Sequence, residues 1–158
     1  MIAGVGAKQA RVRFGASKAL QDLSCRSPQL VYPHFDFFAA MLGHSNQVLK
    51  WNALLTLAHL AAADSEGKLD LILRSYLSPI AGPHMITAAH AIRGGAMIGS
   101  ARPHLAQRIA RKILSVERAV YATPECAILP SATRFRPSDG FAVCCPVTAR
   151  SAPSRAAN

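Results

Sequence analysis

The sequence predicts an all-α protein, and three observations carry that expectation. Ala and Leu dominate its 158 residues, aromatic residues make up 6% and β-branched residues are sparse, a balance that favours packed helices over sheets. Between Phe37 and Ile98 apolar side chains return every three or four positions, the period of helices with a buried stripe. The pattern also repeats. Val12-Arg13-Phe14-Gly15-Ala16 recurs as Leu49-Lys50-Trp51-Asn52-Ala53 at a shift of 37, which also places Leu20 on Leu57 and Leu23 on Leu60. A shift of 38 then carries Val48 to Ile86, Ala53 to Ala91, Leu54 to Ile92 and Leu60 to Ile98.

Taken in order, a first helix is expected from about Lys8 to Leu23, with Val12, Ala16, Ala19, Leu20 and Leu23 on its inner side. Ser27-Pro28 reads as a helix start, Ser27 as N-cap and Pro28 at the first helical position. The second helix directs Leu30, Val31, Phe35, Phe38, Met41 and Leu42 inward, with Pro33 in its early turns as a source of a kink. Gly43-His44-Ser45-Asn46 interrupts the pattern. A central helix follows from Gln47 to about Ala62, apolar at Leu49, Ala53, Leu57 and Leu60 and widened by Val48, Leu54 and Leu55, so it is expected to be buried on more than one side. Asp64-Ser65-Glu66-Gly67 is a turn suited to capping a fourth helix, Lys68 to Leu77. Pro83 opens a fifth helix that reaches Ile98; Gly94-Gly95 inside it costs about 1 kcal/mol per Gly relative to Ala, which close approach of a neighbouring helix would explain. Arg102-Pro103 begins a sixth, with Leu105, Ile109, Ile113 and Val116 on one side and Glu117 to Tyr121 able to close it. The packing expected of these helices buries Trp51, Leu57, Ile86 and Ile92. Thr123 to Leu129 suits one more short helical turn, and from Pro130 onward no helical period remains. The domain organisation read from this is a helical repeat domain at 1–130 and a poorly ordered or loosely docked tail at 131–158.

Each repeating unit is a helical hairpin that cannot hide its apolar side alone. The run Phe37-Phe38-Ala39-Ala40-Met41-Leu42, a short turn, then Val48-Leu49-Lys50-Trp51-Asn52-Ala53 and Leu57 resembles a HEAT-type or armadillo-type α-solenoid repeat, with Arg13 and Lys50 at the basic position of that pattern. The resemblance covers residues 37–62 closely and 8–117 loosely. The turn at Gly43–Asn46 departs from the pattern in lacking Asp, and the unit around Met85 in lacking the basic residue. What the resemblance implies is a right-handed α–α superhelix of HEAT-like hairpins whose helices beginning near Lys8, Gln47 and Met85 line one side.

Composition narrows the function more by exclusion. The formal net charge is +10 and the pI about 10.2, yet residues 1–117 hold 13 Lys/Arg against 6 Asp/Glu and residues 118–158 hold 5 against 2, so no polybasic arm concentrates it. The cysteines, Cys25, Cys126, Cys144 and Cys145, form no C-x-x-C pair and read as free thiols. No apolar stretch follows the basic residues near the N-terminus, and Ala53–Ala63, interrupted by Thr56 and His59, is too short to span a bilayer; a cytoplasmic location is the default. No catalytic motif is found, and Gly4-Val5-Gly6-Ala7 lacks both the preceding strand and the third glycine of a nucleotide loop. The six histidines, His34, His44, His59, His84, His90 and His104, have no metal-ligand spacing. No catalytic residue, cofactor or metal is therefore expected.

Two surfaces remain. On the side lined by the repeating helices, Lys18, His59 and Arg93, with Thr56 among them, face a groove suited to a protein partner. In the sixth helix Arg108, Arg111, Lys112 and Arg118 form a basic stripe opposite Leu105, Ile109 and Ile113, able to lie along phosphates. The leading expectation is a non-enzymatic interaction module for another protein; the alternative is binding to the duplex DNA backbone. Nothing on the stripe is placed to stack on bases. Array position and oligomeric state are not readable from the sequence.

Overall fold

The computed structural model describes residues 2–122, and within them every regular element is helical. The chain runs through α1 (Ile2–Val5), α2 (Ala10–Arg26), α3 (Pro28–Val31), a 3-10 turn, α4 (Phe35–Met41), α5 (Gln47–Leu60), α6 (Lys68–Leu77), a second 3-10 turn, α7 (Met85–Ala101), α8 (Pro103–Leu114) and a last 3-10 turn, Ser115–Arg118. The expected tail at 131–158, the turn at Thr123–Leu129 and the domain end near 130 lie outside the described residues.

Local chemistry accounts for most boundaries. Pro28 does stand at the first position of α3, but the Ser27 side chain caps nothing; the bend falls at Pro33, where a 3-10 turn, Tyr32–His34, divides α3 from α4. Asn46 accepts a hydrogen bond from the Leu49 amide at 3.3 Å and starts α5. Gly67 takes the left-handed conformation (φ 69°) that turns the chain into α6. The short α1 was not expected from the sequence; four residues carry too little period to be read.

Helices α2, α5 and α7 form one layer, with α5 at its centre in contact with both neighbours. Their registers show that they run the same way. Asn52 meets Ser17 and His59 meets Ser24, each 35 residues apart, and on the other side Trp51 meets Thr87 and His90. Helix α4 packs on α5, α6 on α7, and α8 on both α7 and α6. Gly95 lies opposite Ile109 and Gly99 opposite Ala106, so α8 runs antiparallel to α7. Long-range side-chain hydrogen bonds join residues 32 to 41 positions apart, with Tyr76 to Leu54 at 22 as the exception among the described residues.

A continuous apolar core extends from Val5 to Ile109. Helix α5 supplies its middle: Leu54, Leu57 and Leu60 are fully buried, in keeping with a central helix covered on several sides. Seven expectations need correction. Leu30 is 68% and Val48 38% exposed, and Ala19 is exposed as well. Ile86 is 53% exposed, Val12 is 46% exposed, and Trp51 and Ile92 are half-buried, with Ile92 packed against the core margin. Ile86 and Val12 stand in the first turns of α7 and α2, and Ile86 lies on the side of the layer that no helix covers. Trp51 stays at a boundary because its indole N–H needs an acceptor, which Thr87 Oγ1 provides at 2.9 Å. Cys25 is disulfide-bonded, so the cysteines are not all free thiols; the other three lie outside the described residues.

Two buried polar contacts pin the layers. Asp64, 1% exposed, accepts from the Tyr32 hydroxyl (2.7 Å), the Lys68 and Leu69 amides (2.9 and 3.1 Å) and the Arg102 guanidinium (3.3 Å), while Arg102 also donates to the Asp64 carbonyl (2.6 Å). Arg13, at the basic position of the resembled pattern, reaches the Ala7 carbonyl. The other contact is the Tyr76 hydroxyl, which donates to the Leu54 carbonyl at 2.8 Å and lies fully buried. Burial pushes its phenol far above the ordinary range. Gly94 makes room for it, since a Cβ there would overlap the Tyr76 hydroxyl and press on Ala58.

Asp64→Ala strands Arg102 and two helix-terminal amides, and is expected to lower stability by about 3–5 kcal/mol in urea unfolding. Gly94→Ala must displace Tyr76 and should cost about 1–3 kcal/mol despite its better helix propensity. Gly15→Ala, with open space around it in α2, should instead stabilise by about 0.5–1 kcal/mol, and equal effects at the two glycines would refute the packing account.

Candidate functional site

The uncovered side of the α2–α5–α7 layer carries the first group of sequence-derived residues. Helix α2 exposes Arg11, Gly15, Lys18 and Asp22 at spacings of three and four, and α7 does the same with Ile86, Ala89, Arg93, Ala96 and Ser100. Between them α5 contributes Val48, Asn52 and His59, at i, i+4 and i+11. Lys18 is exposed and pairs with Asp22 at 3.0 Å, one turn along α2. Arg93 is exposed on α7. His59 lies half-buried between the two helices, close enough for both cations to act on it.

His59 is the best-defined group of this surface. Its Nδ1 lies 2.9 Å from Ser24 Oγ, whose single proton goes to the Gln21 carbonyl at 2.6 Å. The serine oxygen therefore accepts, Nδ1 carries the ring proton, and Nε2 is left as an acceptor. Burial is the main cause that holds its pKa below the ordinary value; Arg93 and Lys18 push the same way, against the Gln21 carbonyl and Asp22. His90 on α7 is lowered as well, by burial and then Arg93, while its ring stacks on Trp51 at 5.4 Å. Thr56, which the sequence placed on the groove, is buried, and its hydroxyl has no hydrogen-bond partner. At the start of the layer the same side is apolar: Val48 on α5 and Ile86 on α7 are partly to mainly exposed.

The basic stripe is rearranged. Helix α8 ends at Leu114, so Arg118 belongs to the following 3-10 turn and not to the helical side that carries Arg108, Arg111 and Lys112. Arg108, Arg111 and Arg118 are exposed and Lys112 half-buried. Arg108 and Lys112 instead share a groove with Leu73, Arg74, Leu77 and Ser78 of the α6 side, about 350 Å³ in volume. Arg74 was not legible as a site residue, because a lone arginine on the polar side of α6 has no pattern of its own.

Both surfaces display charged and apolar groups. Among the described residues no three His, Cys, Asp or Glu gather closely enough to hold a metal ion, and no helix is long and apolar enough to cross a membrane. No protein-family model, curated protein or solved structure matches the chain.

The two lowered histidines make stability pH-dependent. Each is favoured neutral in the folded state, so its contribution is complete above the unfolded pKa of about 6.5 and is lost as pH falls toward the folded value. Unfolding midpoints measured between pH 7.5 and 5 should fall with pH, and His59→Gln with His90→Gln should flatten that slope. A slope unchanged in the double variant would remove both histidines from the account.

Proposed function

We propose that the chain is a non-enzymatic, HEAT-like α-solenoid interaction module that presents the uncovered side of α2, α5 and α7 to a protein partner. The observation that carries this reading is the composition of that side. Three parallel helices display Val48 and Ile86 near one end and Lys18, His59 and Arg93 further along. An apolar patch followed by charged groups is how recognition surfaces combine affinity with selectivity. The repeat reading is supported by the spacing of long-range hydrogen bonds, which stays between 32 and 41 residues with one exception, as stacking of hairpins of about that length requires. A right-handed superhelix and a cytoplasmic location go with the proposal.

The alternative, a HEAT-like protein bound to the duplex DNA backbone, draws on the net charge of +10 and on exposed Arg108 and Arg111. One experiment separates the two. Partners captured from native lysate by the wild-type chain are compared with those held by Lys18→Glu/Arg93→Glu and by Val48→Asp/Ile86→Asp, alongside salt titration on duplex DNA. Both variants change exposed residues, so their helical spectra should persist while a specific partner is lost, a decrease of about tenfold or more in affinity. DNA affinity should be weak at physiological salt and indifferent to alanine at Arg108, Arg111, Lys112 and Arg118. Tight DNA binding whose salt slope flattens by up to about one unit per arginine removed would establish the alternative instead.

A further inference from the structure

The groove between α6 and α8 lies on different helices from the surface just described and has its own chemistry. Its floor includes Leu73 and Leu77, four residues apart on α6, and its walls carry Arg74 from one side and Arg108 and Lys112 from the other. The carboxylates of this layer are engaged elsewhere: Asp36 and Glu66 with Lys68, Asp64 with Arg102, and Asp70 with Arg102 and with His104 at 2.9 Å. Arg74, Arg108 and Lys112 have no such carboxylate among the described residues. Three cations from two helices thus converge on one groove without a counter-charge among the described residues.

We propose that this groove binds an acidic amphipathic helix of a partner protein, whose carboxylates pair with Arg74, Arg108 and Lys112. The spacing favours a helix. Arg108 and Lys112 are one helical turn apart on α8, so that wall presents cations about 5–6 Å apart above a floor that includes the buried Leu73 and Leu77. A helix with Glu or Asp at i and i+4 on one edge and apolar residues beside them repeats that distance. The arginines suit carboxylates by their planar, forked donors. A second copy of this chain is a poor occupant, since each carries +10. The site stands whether or not the α2–α5–α7 side binds a partner.

The test titrates the full chain into a fluorescently labelled synthetic peptide of about five helical turns, with Glu one turn apart along one edge and Leu on the adjoining side. Its controls are a scrambled peptide of the same composition, a short DNA duplex of equal charge, and protein variants checked by circular dichroism. Arg108→Glu/Lys112→Glu and, from the opposite wall, Arg74→Glu should each weaken peptide binding about tenfold or more. Lys18→Glu/Arg93→Glu, on the other surface, should change it by less than about twofold. The scrambled peptide should bind at least about tenfold more weakly than the patterned one. Absence of peptide binding, equal binding of the scrambled peptide, or binding that survives reversal on both walls would overturn the proposal. Tighter binding of the DNA duplex that depends on the same three residues would overturn it too, in favour of phosphates.

Discussion

A single buried carboxylate organises the fold. Asp64 occupies the turn between α5 and α6, and its charge is satisfied from three directions at once. The amides of Lys68 and Leu69 are among those left without partners at the start of a helix, so the carboxylate both begins α6 and is held by it. Tyr32 reaches it from the 3-10 turn before α4 and Arg102 from the junction of α7 and α8. A lone buried charge would be costly to desolvate; here the surrounding donors offset that cost, and in doing so they dictate how successive hairpins meet. The Tyr76–Leu54 contact complements this inside the stack, where Gly94 allows α6, α5 and α7 to approach around one hydroxyl.

Helix identity was legible because apolar period survives tertiary packing. Lys68–Leu77 was read to the residue, and α5 missed only its end, since both have strong turn chemistry before them and a clear stripe. Val48 and Ile86 both occupy first-turn positions on the same side of the layer. The error was to assume that equivalence meant burial. Repeated apolar residues share an environment, and the environment here is solvent. Periodicity cannot distinguish an inward stripe from an outward one when a helix is apolar on most of its circumference, as α5 and α7 are.

The surface residues divide the same way. That Lys18, His59 and Arg93 fall on one side followed from repeat phase, because equivalent turns of parallel neighbours lie at one level. The Ser24–His59 and Trp51–His90 contacts were not readable, since they depend on which residue of one helix lies opposite which of another. Arg118 was misplaced because nothing in Ser115-Val116-Glu117-Arg118 announces the change from α-helix to 3-10 turn. Arg74 lacked any local signal; its meaning comes from α8, thirty-odd residues away, which folds back beside it.

The narrow range of hydrogen-bond separations has a consequence for how the chain finds its structure. Bonds that span 32 to 41 residues close loops of nearly one size, wherever along the chain they form. No step has to bring distant ends together, and the first hairpin pair to associate gives its neighbour a surface on which to fold. Mean contact separation is then a property of the unit and not of the chain length. A longer array of such units would pay no greater entropic toll per contact, so its folding time should grow far less with length than that of a sheet protein whose first and last strands must pair.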